Sequence, residues 1–189
     1  MLKIAELREE IYNYFHNSES CQQFYFDNAN EERFCAYNTS MYLLQDTTES
    51  LNAHRKKSFS SDPWEAYIEF WGVMQALIIQ QDSIKELYEA IIGKVLYSKP
   101  LNSWQEIRIL RNICSGHPAR KDRPKKFPLT RTVMSRNFGS YSEITYRKWQ
   151  SKEGISHPKV KLGTLIDEYA KEAESILAKV LQSMKQQWP

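Results

Sequence analysis

An all-α fold, a bundle of about five helices with a small β-hairpin inserted before the C-terminal helix, is predicted by three observations. Apolar residues recur at helical spacing along most of the chain. Glycine and proline are sparse, 6 and 7 among 189 residues, and most of the prolines lie beyond position 99. One segment alone, between about residues 130 and 150, alternates in the manner of strands. An apolar content of 41% with 13% aromatic residues lies above the disordered range, and the length suits a single domain spanning 1–189.

Each element follows from local pattern. Leu2, Ile4, Leu7, Ile11, Tyr14 and Phe15 define a first helix to about His16, and Asn17-Ser18 opens a polar break. Phe34, Tyr37, Met41, Leu44 and Leu51 define a second, from near Asn30 to Lys57. Asp62-Pro63 is a strong start signal, a side-chain cap followed by a residue whose missing N–H costs nothing there. The helix it opens carries Tyr67, Phe70, Trp71, Met74, Leu77, Ile84, Leu87 and Ile91, a stripe broad enough for several neighbours, and fades at Gly93. A shorter helix capped by Asn102 or Ser103 bears Trp104, Ile107, Leu110 and Cys114 and stops at Gly116, because Pro118 pushes His117 out of helical geometry. Residues 118–160 form the insert: a basic, proline-containing loop, then β-prone stretches at 132–136 and 142–149 around a predicted turn at Asn137-Phe138-Gly139-Ser140. Leu165 to Met184 carries a long final helical stripe.

Composition removes several classes of function. Cys21, Cys35 and Cys114 have neither disulfide-framework nor zinc spacing, which fits a reducing compartment. No apolar run approaches a membrane span and the N-terminus lacks a signal-type core, so a soluble cytoplasmic protein is expected. No Gly-rich phosphate loop is present, and no cofactor is predicted. The formal net charge of +3 is uneven: residues 117–161 hold twelve Lys/Arg against three Asp/Glu, whereas the remainder is net acidic. A basic segment on an acidic chain points to a polyanion as partner, a solvated loop being the plainer alternative.

Chemistry concentrates in Arg111-Asn112-Ile113-Cys114-Ser115-Gly116-His117. Arginine offers a planar fork of donors matched to phosphate oxygens. Histidine titrates near neutral pH and serves as acid or base. On a continuous α-helix, residues six apart diverge by about 240°. The break at Gly116-His117-Pro118 is what lets the imidazole return toward the guanidinium. An arginine at a helix C-terminus also suits the helix dipole, so structure and function compete for Arg111.

This motif, with an all-helical frame and its place on a late helix, resembles the HEPN superfamily, whose pattern is Arg, then Asn, Asp or His, then His a few residues on. The resemblance implies a metal-independent endoribonuclease, a homodimer with one composite cleft, often working in toxin–antitoxin or anti-phage systems beside an antitoxin or defence partner. His117 would then be the acid/base, Arg111 the stabiliser of phosphoryl charge, and Asn112 a group orienting the His or a phosphate oxygen. Attack by the RNA 2′-hydroxyl would leave a 2′,3′-cyclic phosphate and a 5′-hydroxyl. Ala119 stands where one branch of the family has a modifiable Tyr, so adenylylation there is not expected. A non-catalytic RNA-binding or dimeric interaction module, in which Arg111 and His117 only hold the helix end, is the alternative.

Arg120, Lys121, Arg123, Lys125, Lys126, Arg131, Arg136, Arg147 and Lys148 follow the motif and are the predicted RNA-backbone contacts. Tyr141, Tyr146 and Trp149 are candidates to stack on unpaired bases. Packing of the hairpin on the bundle is the competing role and the one favoured for Trp149. His16 and His54 are read as helix-end residues, His157 as a loop residue, and Glu9-Glu10 and Glu31-Glu32 as solvated faces. The aromatic stripe from Trp64 to Trp71 is read as core or dimer interface.

Overall fold

A computed structural model of the chain describes residues 1–97, 102–116 and 130–189. In order along it come α1 (Leu2–Asn17), α2 (Glu19–Phe26), α3 (Glu31–Lys57), α4 (Pro63–Ile92), α5 (Asn102–Arg111), β1 (Thr130–Gly139), β2 (Ile144–Gln150), β3 (Gly154–Ser156), β4 (Lys159–Val160) and α6 (Leu162–Gln187). The chain is mostly helical, and the predicted α class stands at that level.

Helix α4 lies against α3, α5 and α6, and buries Phe70, Met74, Leu77, Ile84, Leu87 and Ile91 among them. Its start follows local chemistry: the Asp62 carboxylate accepts from the backbone N–H groups of Trp64 and Glu65, at 2.8 and 3.0 Å. Its end is Gly93, at φ 72°, a left-handed conformation that a side chain would strain. Helix α6 packs against α1, α4 and α5, closing the bundle from the opposite end of the sequence. Buried Gln80 on α4 is paired at both ends of its amide. Gln80 Nε2 donates to Thr48 Oγ1 at 2.8 Å, and its Oε1 accepts from the Tyr169 hydroxyl at 2.9 Å.

Two features depart from the sequence expectation. Helix α2 occupies the stretch read as a polar break: Ser18 ends α1 and caps α2, its Oγ accepting from Cys21 N at 3.3 Å. Eight residues are too few for a periodic signal, and what holds α2 is burial of Cys21 and Tyr25 against other helices. The insert is likewise more than a hairpin. β2 pairs antiparallel with β1 on one side and with the two short strands β3 and β4 on the other. Strands of three and two residues carry no readable alternation, and their place is set by pairing with β2.

The hairpin turn also falls later than predicted. Asn137, Phe138 and Gly139 belong to β1, and the chain reverses between Ser140 and Glu143, where Ser140 N donates to Glu143 O at 2.9 Å. Gly139, at φ 118°, lies against the Glu143 carbonyl where no Cβ fits. Phe138 is kept in the strand by burial against Phe59 and Phe70, with ring centroids 5.4 and 5.3 Å away.

Candidate functional site

Helix α5 is fixed at both ends. Its first backbone N–H groups, on Ser103 and Trp104, donate to the Glu172 carboxylate of α6 at 3.3 and 3.0 Å. An anion there satisfies otherwise unpaired donors and the helix dipole together. At the other end the backbone widens into a π turn over Asn112–Gly116. Such turns recur at functional sites. Departure from α geometry therefore begins at Asn112, four residues before the predicted break at Gly116, so the 240° divergence of a straight α-helix does not apply. The Ser115 hydroxyl donates to Arg111 O at 3.0 Å, and the Thr132 hydroxyl of β1 donates to Ile113 O. The sheet thus braces the turn.

Arg111 sits half-buried at this junction. Its Nη1 donates to Asn112 Oδ1 and its Nη2 to Gln75 Oε1 of α4, both at 3.1 Å. Both acceptors are neutral amides. One turn earlier, Arg108 pairs with Asp82, and Arg55 makes a two-pronged pair with Asp167 at 2.5 and 2.8 Å. Among the described residues Arg111 has no carboxylate within ion-pair distance. Its guanidinium is held in place without being neutralised, which is what binding an external anion requires. The side-chain oxygen of Asn112 holds Arg111.

Buried Cys114 lies inside the π turn, and burial pushes its thiol up to about 12, so it stays protonated at neutral pH and is no nucleophile. Among the described residues no group of three or more His, Cys, Asp or Glu is gathered to hold a metal ion, and no helix is long and apolar enough to cross a membrane.

The predicted site residues separate when placed on the fold. His117, Arg120, Lys121, Arg123, Lys125 and Lys126 lie outside the described residues. Arg131 and Arg147 are exposed on the face of the sheet turned away from the bundle. Arg136 does not join them; its guanidinium lies over the Trp64 ring, 4.4 Å from the centroid. Lys148 is opposite Thr132 and shares the inward parity of that buried residue.

The aromatics divide in the same way. Tyr146 is buried, and burial raises its phenol. Tyr141 stacks on Phe59 at 4.8 Å, and its hydroxyl shares a 2.7 Å hydrogen bond with His54 Nδ1. Neither is free to meet a base. Trp149, expected to pack on the bundle, keeps 37% of its surface exposed on the outer face beside Arg131.

Sequence reasoning missed Gln75 and the His54 corner. Gln75 extends the outward positions Trp64, Ile68 and Trp71 of α4 by one more turn, so helical spacing alone could have placed it beside that stripe. His54 does more than end α3. Beside its bond to Tyr141, its Nε2 lies 3.6 Å from Glu69, whose carboxylate also takes Lys57 Nζ and Ser60 N, both at 2.7 Å. This cluster ties the hairpin turn to the α3–α4 corner.

No protein-family model matches the chain, and neither a curated protein nor a solved structure shows significant similarity to it.

Proposed function

We propose that the protein is a HEPN-like, metal-independent endoribonuclease that cleaves RNA through attack of the 2′-hydroxyl on the adjacent phosphorus. The observation that carries this reading is the Arg111 guanidinium, braced by the neutral oxygens of Asn112 and Gln75 and left without a carboxylate partner among the described residues. A cation held in that manner stabilises charge developing on phosphoryl oxygens with little reorganisation. His117 supplies the proton transfers, six residues on and past a turn that has already left α geometry.

The composite site rests on a homodimer, and α4 offers a surface for it. Trp64, Ile68 and Trp71 are 58, 67 and 43% exposed along one apolar stripe, with the Arg136 guanidinium over Trp64 at its start and Gln75, hence Arg111, at its end. Apposition of two such stripes about a two-fold axis would bring two Arg111 side chains to one seam. In that arrangement one protomer's His117 acts as base and the other's as acid. A toxin–antitoxin or anti-phage setting, with an antitoxin or defence partner, belongs to the same reading, as does a cytoplasmic location.

Purified protein should cut RNA in EDTA and leave 2′,3′-cyclic phosphate ends. Both His117→Ala and Arg111→Ala should abolish or strongly reduce cutting, with thermal unfolding essentially unchanged. Equal cleavage by wild type and His117→Ala would overturn the proposal. Salt-dependent RNA binding without cleavage by the wild type would favour the non-catalytic module.

A further inference from the structure

The outer face of the sheet carries a pattern that charge alone does not require. In the ladder Arg131 pairs with Trp149, Val133 with Arg147, and Trp149 with Ile155. Strand alternation puts these five side chains on one surface. Val133 and Ile155 are 60 and 53% exposed, and both arginines are exposed too. The Trp149 indole thus has a guanidinium-bearing residue directly across one strand boundary and an aliphatic one across the other. Arg147 follows about 7 Å along the same strand, two residues at ~3.4 Å each. Among the described residues neither Arg131 nor Arg147 has a carboxylate within ion-pair distance.

We propose that this face binds unpaired RNA, one base stacking on the Trp149 indole while Arg131 and Arg147 hold the neighbouring phosphates. The proposal rests on the nuclease reading for RNA as the substrate, and narrows that substrate to single strands or loops. An aromatic platform flanked by cations is the arrangement by which proteins hold unstacked nucleotides. Duplex RNA keeps its bases stacked inside, so it would use the two charges and leave the indole, Val133 and Ile155 without partners. A second copy of the chain fits poorly, because a symmetric pairing of this face would bring four uncompensated guanidinium groups together. The face is also distinct from the α4 stripe, since Arg136 and Trp64 turn toward each other and away from it.

The test uses the full chain carrying His117→Ala, so that binding is read without cutting. A fluorescein-labelled 12-nucleotide single-stranded RNA and the same strand in duplex are titrated by anisotropy over a range of salt. Trp149→Ala should weaken single-strand binding about 5- to 150-fold, the span expected from losing one stacked base, while the salt slope and duplex binding stay unchanged. Trp149→Phe should recover most of the loss. Arg131→Ala and Arg147→Ala should each flatten the single-strand salt slope by about 0.7. Because these side chains are exposed, thermal unfolding should be little altered, and Trp149→Phe separates stacking from folding.

Unchanged single-strand binding by Trp149→Ala, or equal losses for single strand and duplex, would overturn the proposal. So would a change in sedimentation by Trp149→Ala in the absence of RNA, which would make the face a self-association surface. The two readings fail separately. Wild-type cleavage with Trp149-independent binding removes this inference and keeps the nuclease, whereas Trp149-dependent binding without cleavage does the reverse.

Discussion

The two halves of α4 share one helix and live in different surroundings. From Leu77 to Ile91 the helix is enclosed by α3, α5 and α6, where Gln80 bonds Thr48 and Tyr169 and Gln81 Nε2 donates to the Trp104 carbonyl at 3.2 Å. From Trp64 to Gln75 one side of the helix faces solvent with Trp64, Ile68 and Trp71, and an added Cβ at Gly72 would touch nothing. Burial of the second half stabilises the fold. In the first half, large apolar side chains stay outside although the inner side of the same turns is well packed. The difference teaches that exposure here follows the orientation of one stripe and does not reflect a loose helix end.

The sharpest way to break this comparison is to remove volume from the enclosed half. Leu77→Ala should cost about 2–5 kcal/mol, because neighbours on three sides cannot all collapse into the space. Urea unfolding measures it, and a loss below 1 kcal/mol would mean that the half is less tightly enclosed than its burial indicates. A smaller effect is expected on the inner side of the exposed half, at Glu69. The Lys57 hydrogen bond, with the Ser60 backbone N–H after it, holds this carboxyl below its ordinary value. A carboxyl with a lowered folded pKa contributes stability above its unfolded pKa and loses it as pH falls through the folded one. Below about pH 4.5 the wild type should therefore lose this contribution. Glu69→Gln should be less stable at pH 7, and the gap between the two proteins should close toward pH 3. A gap that stays constant from pH 7 to pH 3 would show that Glu69 acts through packing alone.

The smallest stability effects are expected on the outward stripe. Ile68→Ser and Trp71→Ser should move monomer stability by no more than about 0.5 kcal/mol. Their informative readout is association: if α4 forms the dimer seam, both should shift sedimentation toward monomer and lower nuclease activity with it. Unaltered sedimentation of a dimeric wild type would place the seam elsewhere.

Which of these features can be read from sequence depends on how far apart the interacting residues are. Asp62-Pro63 announces the start of α4 because cap and first turn are neighbours, and the long stripes of α1, α3, α4 and α6 repeat often enough to stand out. Strands β3 and β4 do not, since two or three residues are too few to show alternation, and neither does helix α2, since Tyr25 is held by Ala90 on α4. The same reason limits the site. Arg108 and Arg111 are alike in sequence, and what distinguishes them is Asp82 in one case and Gln75 in the other, both on a helix made earlier. Alternation places Arg147 in a β-prone stretch and leaves Arg131 just ahead of the other. It does not say which face meets the bundle, and Trp149 lies on the outer one.

Glu172 has a consequence for the order of events during synthesis. The helix that ends in Arg111 is capped at its start by a carboxylate from α6, some 70 residues further along the chain, and α6 also packs on α1. The cap on α5 and the packing of α1 on α6 therefore both wait until α6 has been made. Contacts between such distant segments slow folding, because the long loop must close before any of them forms. A chain that still lacks α6 carries Arg111 on a helix whose first N–H groups have no Glu172 carboxylate to meet. Bracing of the Arg111 helix at both its ends comes only once α6 is in place.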